Sequence, residues 1–253
     1  MTEYPLAVFV LAVPVQWLAA QTGAYLGTRR PAPADAEHQD MDVILAASLT
    51  LLGLIIGFTF SMAVTRYDLR KSREADEANA IGTEYVRLGL LPAPDAAKLR
   101  GLLMNYLNQR VSFYLARDPR RLEQINSLTG KLQSDLWSAI EAAAAAQPTP
   151  IVALAVSGLN DVLNSQGYTQ AAWWNRIPPE AWVLMGTIAI CCNVLFGFTV
   201  QSTVARNAGL FFVLPLIVAT SFFLIAELDS PRTGVIRVSP QNLVSLCGWM
   251  RTQ

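Results

Sequence analysis

The sequence is short of charge. Asp, Glu, Lys and Arg make up only 15% of its 253 residues, against about 25% in a typical soluble domain. It has one histidine, His38, and three cysteines. A single imidazole with scattered carboxylates offers no catalytic triad and no zinc set, and no phosphate loop occurs. His38 has Asp35, Glu37, Asp40 and Asp42 for company, and that stretch reads as a solvated acidic loop rather than a metal site. Cys191 and Cys192 are neighbours in an apolar block and Cys247 is near the C-terminus. Their spacing makes no disulfide framework, and free Cys packs as a small hydrophobe. Lys+Arg and Asp+Glu both total 19, and a balanced chain argues against a nucleic-acid partner. The N-terminus lacks a basic n-region and a small-residue cleavage site, so it does not read as a cleaved signal peptide. No strand or hairpin signal occurs. The chain is expected not to be an enzyme and to need no cofactor or metal.

What the chain has is apolar sequence in blocks. Hydrophobic residues make up 53% and the mean hydropathy is +0.33. Four segments approach the ~20 residues that span about 30 Å of hydrocarbon. They are Tyr4 to Leu26, interrupted by Pro14 and Gln16; Val43 to Val64; Ala181 to Ser202; and Leu210 to Leu228, with Pro215 inside. Lipid cannot satisfy backbone polar groups, so these blocks are helices. The expected fold is an all-α integral membrane protein. It has four transmembrane helices per subunit and a helical cytoplasmic domain between the second and third.

Residues 65–180 hold 13 of the 19 basic residues, and Arg66, Arg70, Lys71 and Arg73 follow the second span directly. The positive-inside rule places this region in the cytoplasm, with both termini on the same side of an inner (plasma) membrane. The loop 27–42 and a turn near Arg206 and Asn207 are then outside. Expected divisions are 1–64, a first transmembrane hairpin; 65–180, the cytoplasmic helices; 181–228, a second hairpin; and 229–253, a cytoplasmic C-terminal segment. Apolar periodicity predicts helices up to Pro92, from an Asp95 N-cap, over Arg121–Ala146, and over Ile151–Trp174. No Pro or Gly stands between Phe58 and Ile81, so the second span and the first cytoplasmic helix should form one long helix. Glu74 and Glu77, beside Lys71 and Arg73, read as a solvated or inter-subunit salt-bridged face.

The stretch GLIIGFTFSMAVTRYD (53–68) carries more small and polar residues than an anchor needs. Gly53 and Gly57 form a GxxxG pair, which lets a neighbouring helix approach closely. Thr50, Leu54, Phe58, Ser61 and Thr65 share one stripe, apolar in the middle with hydroxyls at both ends. Arranged around an axis, such stripes make a hydrophobic constriction; packed in a bundle, they are plain core. A near-repeat also stands out: GFTFSMAVTR (57–66) and GFTVQSTVAR (197–206) match at five of ten positions. By the expected topology the copies run in opposite directions, as in transporters, though apolar alphabets match easily.

IIGFTFSMAVTRYD resembles the second transmembrane helix of bestrophins, with its Gly-Phe pair, short apolar stretch, and Val-Thr-Arg before an aromatic. EADEANAIGTEYVRLGLLP (74–92), LRGLLMNYL (99–107) and FLIAELDSPRTGVIRVSPQNL (223–243) are similar to the bacterial bestrophin-like family of membrane proteins. That resemblance covers about 43–246. It implies a homopentameric helical channel for small inorganic ions, whose second helix lines an apolar neck at Phe58, Leu54 and Thr50. The last two are smaller than their counterparts in bestrophin necks. The acidic string that binds calcium after the fourth span of animal bestrophins is missing; Glu227, Asp229, Ser230, Pro231 and Arg232 stand there. Calcium activation is therefore not expected, and the family includes both anion- and cation-conducting members. Arg66, Glu227 and Asp229 are expected as charges at the cytoplasmic boundary. The expected partners are further copies of the chain, the lipid bilayer and small ions. The rival readings are a non-conducting scaffold or sensor that binds a partner through its cytoplasmic helices, and a secondary transporter drawing on Asn193 and Thr199.

Overall fold

The computed structural model describes residues 4–29, 35–200 and 208–253. The expected turn at Arg206 and Asn207, the centre of the first loop, and the side chain of His38 lie outside the described residues. Eight α-helices and a 3-10 turn make up the described chain, and no strand occurs among its residues. The helices are α1 (Pro5–Thr28), α2 (Asp35–Arg87), α3 (Ala93–Leu115), α4 (Pro119–Ala146), α5 (Pro150–Trp174), α6 (Pro179–Thr199), α7 (Ala208–Asp229) and α8 (Gln241–Met250). The 3-10 turn Leu88–Leu90 ends α2. Four stretches are long and apolar enough to cross a membrane, in α1, in α2, in the segment that ends with α6, and in α7. The protein is a multi-pass membrane protein.

The long-helix expectation holds: α2 runs unbroken for 53 residues, about 80 Å at 1.5 Å per residue. Hydrocarbon is only about 30 Å thick, and α2 carries a dense run of charges from Arg66 onward, so over half of it lies outside lipid. The loop expected over 27–42 is shorter than the sequence suggested, because α2 already begins at Asp35. α3 starts two residues before the expected cap, with Pro92 at the N-cap and Asp95 inside the first turn. The reason is Pro94, whose fixed φ suits the first turn and whose missing N–H has no partner to lose there. α4 and α5 are capped by side chains: Asp118 accepts from the Arg120 N–H at 3.0 Å and Thr149 from the Val152 N–H at 3.3 Å. The C-terminal helix α8 has no counterpart in the sequence reading. It buries Leu243, Cys247 and Met250 along one face.

The chain divides into two compact units. One is 1–66 with 176–236; the other is 67–175 with 237–253. In the first, α1 packs along α6 and against α7. Backbone meets backbone at the crossing: a Cβ on Gly23 would fall 2.0 Å from the Val194 carbonyl oxygen, and one on Gly197 would fall 1.9 Å from that of Ala20. Small residues at such crossings allow dense van der Waals packing, the main attraction between helices in lipid. Gln16, which interrupts the first apolar segment, is buried and accepts a hydrogen bond from Asn193 Nδ2 at 2.7 Å. Phe9 meets Phe223 edge-on at 5.6 Å and Phe196 stacks on Phe211.

In the second unit, α3 and α4 pair, α4 lies against α5, and α8 covers α3. Ile81, Leu88, Leu99, Leu103, Leu107, Leu136 and Leu159 are fully buried among them. Phe113, Tyr114 and Trp173 meet edge to face, with centroids 5.1 to 5.5 Å apart. Such pairs add about 0.5–1.5 kcal/mol each beyond the area they bury.

A methyl group at the α1–α6 crossing has nowhere to go. Gly197→Ala is expected to lower stability by about 1–3 kcal/mol through overpacking. Gly186→Ala, on the same helix with open space at its Cβ position, should stay within about 0.5 kcal/mol of wild type. Thermal unfolding of the purified protein in detergent checks the contrast, and equal effects would refute the close-packing account.

Candidate functional site

Two faces of α2 follow from its buried positions. At 100° per residue, Leu52, Thr59, Ala63, Arg70, Glu77, Ile81, Glu84 and Leu88 fall on one side of the helix, and all are buried. Thr50, Leu54, Phe58, Ser61 and Thr65 fall on the opposite side, and all are exposed. Leu54 is 54% and Phe58 64% exposed. The stripe is therefore not core of its own chain. The hydroxyls of Thr50 and Thr65 donate back to the carbonyls of Ala46 and Ser61 at 2.8 and 2.9 Å, so their protons are satisfied and their oxygens remain as acceptors. Gly53 and Gly57 lie on the flank of this face, and a Cβ on either would meet nothing within 4 Å. Among the described residues no helix uses their close approach.

The same face continues past Thr65 through Asp68, Ser72, Asp76, Asn79 and Thr83, all exposed, and ends on exposed Val86 and Leu90. It carries no Lys or Arg. Lys71 and Arg73 stand on its flanks, and Arg73 pairs with Asp76 at 3.2 Å.

The opposite face holds the polar groups that tie the helical unit together. Glu74 and Glu77 were expected to be solvated or to bridge subunits; both are buried with partners in their own chain. Glu74 accepts from Asn242 Nδ2 at 2.6 Å and from the Leu243 N–H at 2.9 Å, which anchors α8 to α2. Glu77 accepts from the Arg110 guanidinium in a buried ion pair, from the Tyr114 hydroxyl at 3.3 Å and from Thr169 at 3.2 Å. Burial, the largest single influence, works against the charge of Arg110, but the Glu77 carboxylate together with Tyr106 and Tyr114 outweighs it and the guanidinium's pKa is raised. Burial pushes the hydroxyls of Tyr106 and Tyr114 well above the ordinary tyrosine range. Sequence spacing missed this network because its donors lie 33 to 92 residues from Glu77. The one available signal was arginine at an otherwise apolar position of α3.

Glu227 and Asp229 tie down the backbone near the end of α7. Glu227 is buried and accepts from the N–H groups of Val235 and Ile236 at 2.6 and 3.3 Å. A Cβ on Gly234 would sit 2.7 Å from its carboxylate, so only glycine leaves room there. Asp229 accepts from the Ile177 N–H at 3.0 Å. Arg66 is half-buried. Asn193 is committed to Gln16, and Thr199 donates back to Leu195 and Phe196. Both polar residues of the transporter reading are thus engaged within the chain. Among the described residues no group of three or more His, Cys, Asp or Glu could hold a metal ion.

A family model described as the bestrophin-like domain matches residues 13–243. No curated protein matches the chain in sequence. Among solved structures, one crystal structure of a bacterial bestrophin homologue from Klebsiella pneumoniae carries a point mutation and superposes with a TM-score of 0.66. It is 15% identical over 98% of this chain and 95% of that one. A second crystal structure of that homologue, with a different point mutation, gives a TM-score of 0.60 at 16% identity, over 98% and 96% of the two chains. At this identity the likeness shows a shared fold.

The buried Glu77–Arg110 pair yields a stability test. Arg110→Ala leaves a carboxylate in the core without its cation and should cost about 3–5 kcal/mol. Pairing Glu77→Gln with Arg110→Met should recover most of that loss, because no charge then remains buried. Thermal midpoints of the three proteins check this; a double variant no better than Arg110→Ala would contradict it.

Proposed function

The chain belongs to the bestrophin-like domain family, and from that premise we propose that it is an ion channel made of several copies of itself, as a homopentamer, with α2 lining the pathway. The observation that carries this reading is the two-sidedness of α2. One face is buried in the chain from Leu52 to Leu88, while the opposite face is exposed for its whole length. On that exposed face, Phe58, Leu54 and Thr50 form a hydrophobic neck, and the hydroxyls of Ser61 and Thr65 widen it into a polar mouth. Hydrophobic constrictions of this kind gate by dewetting. Gly53 and Gly57, bare on the flank, receive the neighbouring copy's helix.

Residues 65–180 are cytoplasmic in this reading, as are both termini, and the protein sits in the inner membrane; the concentration of basic residues after the second span supports that orientation. The divisions at 64, 180 and 228 follow the ends of the spans. Arg66, Glu227 and Asp229 sit at the cytoplasmic boundary. Inward of the neck the pathway is lined by Asp68, Ser72, Asp76, Asn79 and Thr83. Asp76 is neutralised by Arg73, so Asp68 sets the field there and favours cations. A second reading, a scaffold without conduction, draws on a groove of about 560 Å³ between α2 and α8, whose lining includes Asn79, Thr83, Asn242 and the half-exposed Trp249.

Planar-bilayer recording of the purified protein tests the proposal. Wild type should conduct, and Phe58→Ala should raise the unitary current by removing the bulkiest side chain of the neck. Silence from both, at every salt and voltage, rejects the channel in favour of the scaffold. Under a salt gradient, Asp68→Lys should move the reversal potential toward that of the anion; an unchanged potential rejects the α2 lining.

A further inference from the structure

Glu84 is a fully buried carboxyl group with no hydrogen-bond partner on either oxygen. It lies on the inward face of α2, in line with Glu77 and Ile81. Glu77 has three donors there and Glu84 has none. Its place is made by Gly158 of α5: a Cβ at that position would fall 1.9 Å from Glu84 Oε2 and 2.7 Å from Arg87 Nη1. The carboxyl and the guanidinium thus crowd onto the same bare stretch of helix. Arg87 is not bonded to Glu84. Its nearest anionic contact is Asp161 of α5, at 3.8 Å, too long for a hydrogen bond, and both side chains are partly exposed. Arg100 of α3 is already engaged: its Nε donates to the Tyr85 carbonyl at 3.3 Å and its guanidinium lies over the Tyr85 ring.

We propose that Glu84, Arg87 and Asp161 form a proton-controlled latch between α2 and α5. With Glu84 protonated, the buried group is neutral and Arg87 rests on Asp161. When the proton leaves to solvent, the carboxylate draws Arg87 off Asp161 and onto itself. A pocket of about 300 Å³ lined by Asn79, Thr83, Arg87, Gly158 and Asp161 gives the guanidinium room to move and water a way to reach it. An isolated buried carboxylate is far costlier than its neutral acid, so the proton holds until a cation arrives. Two charged groups act on Glu84. Burial pushes its pKa up from 4.5 to about 8, Arg87 pulls it back, and Asp161 pushes it further up. The group lies well beyond the charged run that begins at Arg66, outside lipid, so this titration occurs in water-accessible protein.

The folded chain holds a proton that the unfolded chain has released, so this site weakens folding as pH rises from about 4.5 to about 8 and has no further effect above that. Infrared difference spectra of the full-length protein in lipid nanodiscs, compared with Glu84→Gln and Asp161→Asn, test the latch. Wild type should lose a carboxylic-acid C=O band with a midpoint near pH 8. That band should be missing from Glu84→Gln, and in Asp161→Asn its midpoint should move to lower pH, since Arg87 is then free for Glu84. Thermal midpoints of wild type should fall relative to Glu84→Gln across the same range and run parallel above it. An ionised Glu84 already at about pH 6, near ordinary carboxylate behaviour, overturns the proposal. So does a midpoint that Asp161→Asn leaves in place. Asp161 is 61% exposed at its side chain, so this variant keeps the fold and decides the matter even if Glu84→Gln does not express.

Discussion

In the helical unit, one buried carboxylate ties three helices together. Glu77 of α2 holds Arg110 and Tyr114 of α3 and Thr169 of α5. A charge taken out of water is tolerated only with a paired cation and filled lone pairs, and these three donors supply both. The consequence reaches beyond the network. Once Glu77 must point inward, the rotation of α2 about its axis is set. Within the unit, residues one helical period away, Arg70, Ile81, Glu84 and Leu88, then point inward too.

The apolar unit solves a different problem. In lipid there is little hydrophobic force between helices, so α1 and α6 depend on closeness and on one hydrogen bond. Gly23 and Gly197 let the backbones touch, and Asn193 Nδ2 donates to Gln16 Oε1 across the contact. Gly57 and Gly197 open the two copies of the near-repeat, yet one faces open space and the other is packed against Ala20. The repeated letters therefore do not imply a repeated environment at their opening glycines.

Three glutamates on one face of α2 show how the same residue type takes different parts. Glu74 accepts from an amide and a backbone N–H, Glu77 from a guanidinium and two hydroxyls, and Glu84 from nothing. Their differences lie in what α3, α5 and α8 bring to each, and local sequence carries no trace of that. Gly158 is equally silent by itself: a lone glycine in an apolar helix reads as a tolerated weakness until the carboxyl of Glu84 is seen resting on it.

Local physics explains what was legible. The apolar blocks, the prolines at helix starts and the unbroken run after Phe58 determined the helices, the four membrane-crossing stretches and the length of α2, because these depend on hydrophobicity and backbone constraint over neighbouring residues. The stripe from Thr50 to Thr65 was also legible, since helical periodicity alone puts its members on one side. Which side faces outward was not, because that depends on what packs against the helix from elsewhere in the chain. The same distance effect turned Glu74 and Glu77 from expected surface charges into the core of the helical unit. It also placed a close helix crossing at Gly23 and Gly197, which sequence spacing did not single out. Sequence alone determined the elements from α1 to α7 and their faces; the tertiary structure added α8 and decided which faces meet, because burial of a charge or a bare backbone is settled only by what arrives from elsewhere in the chain.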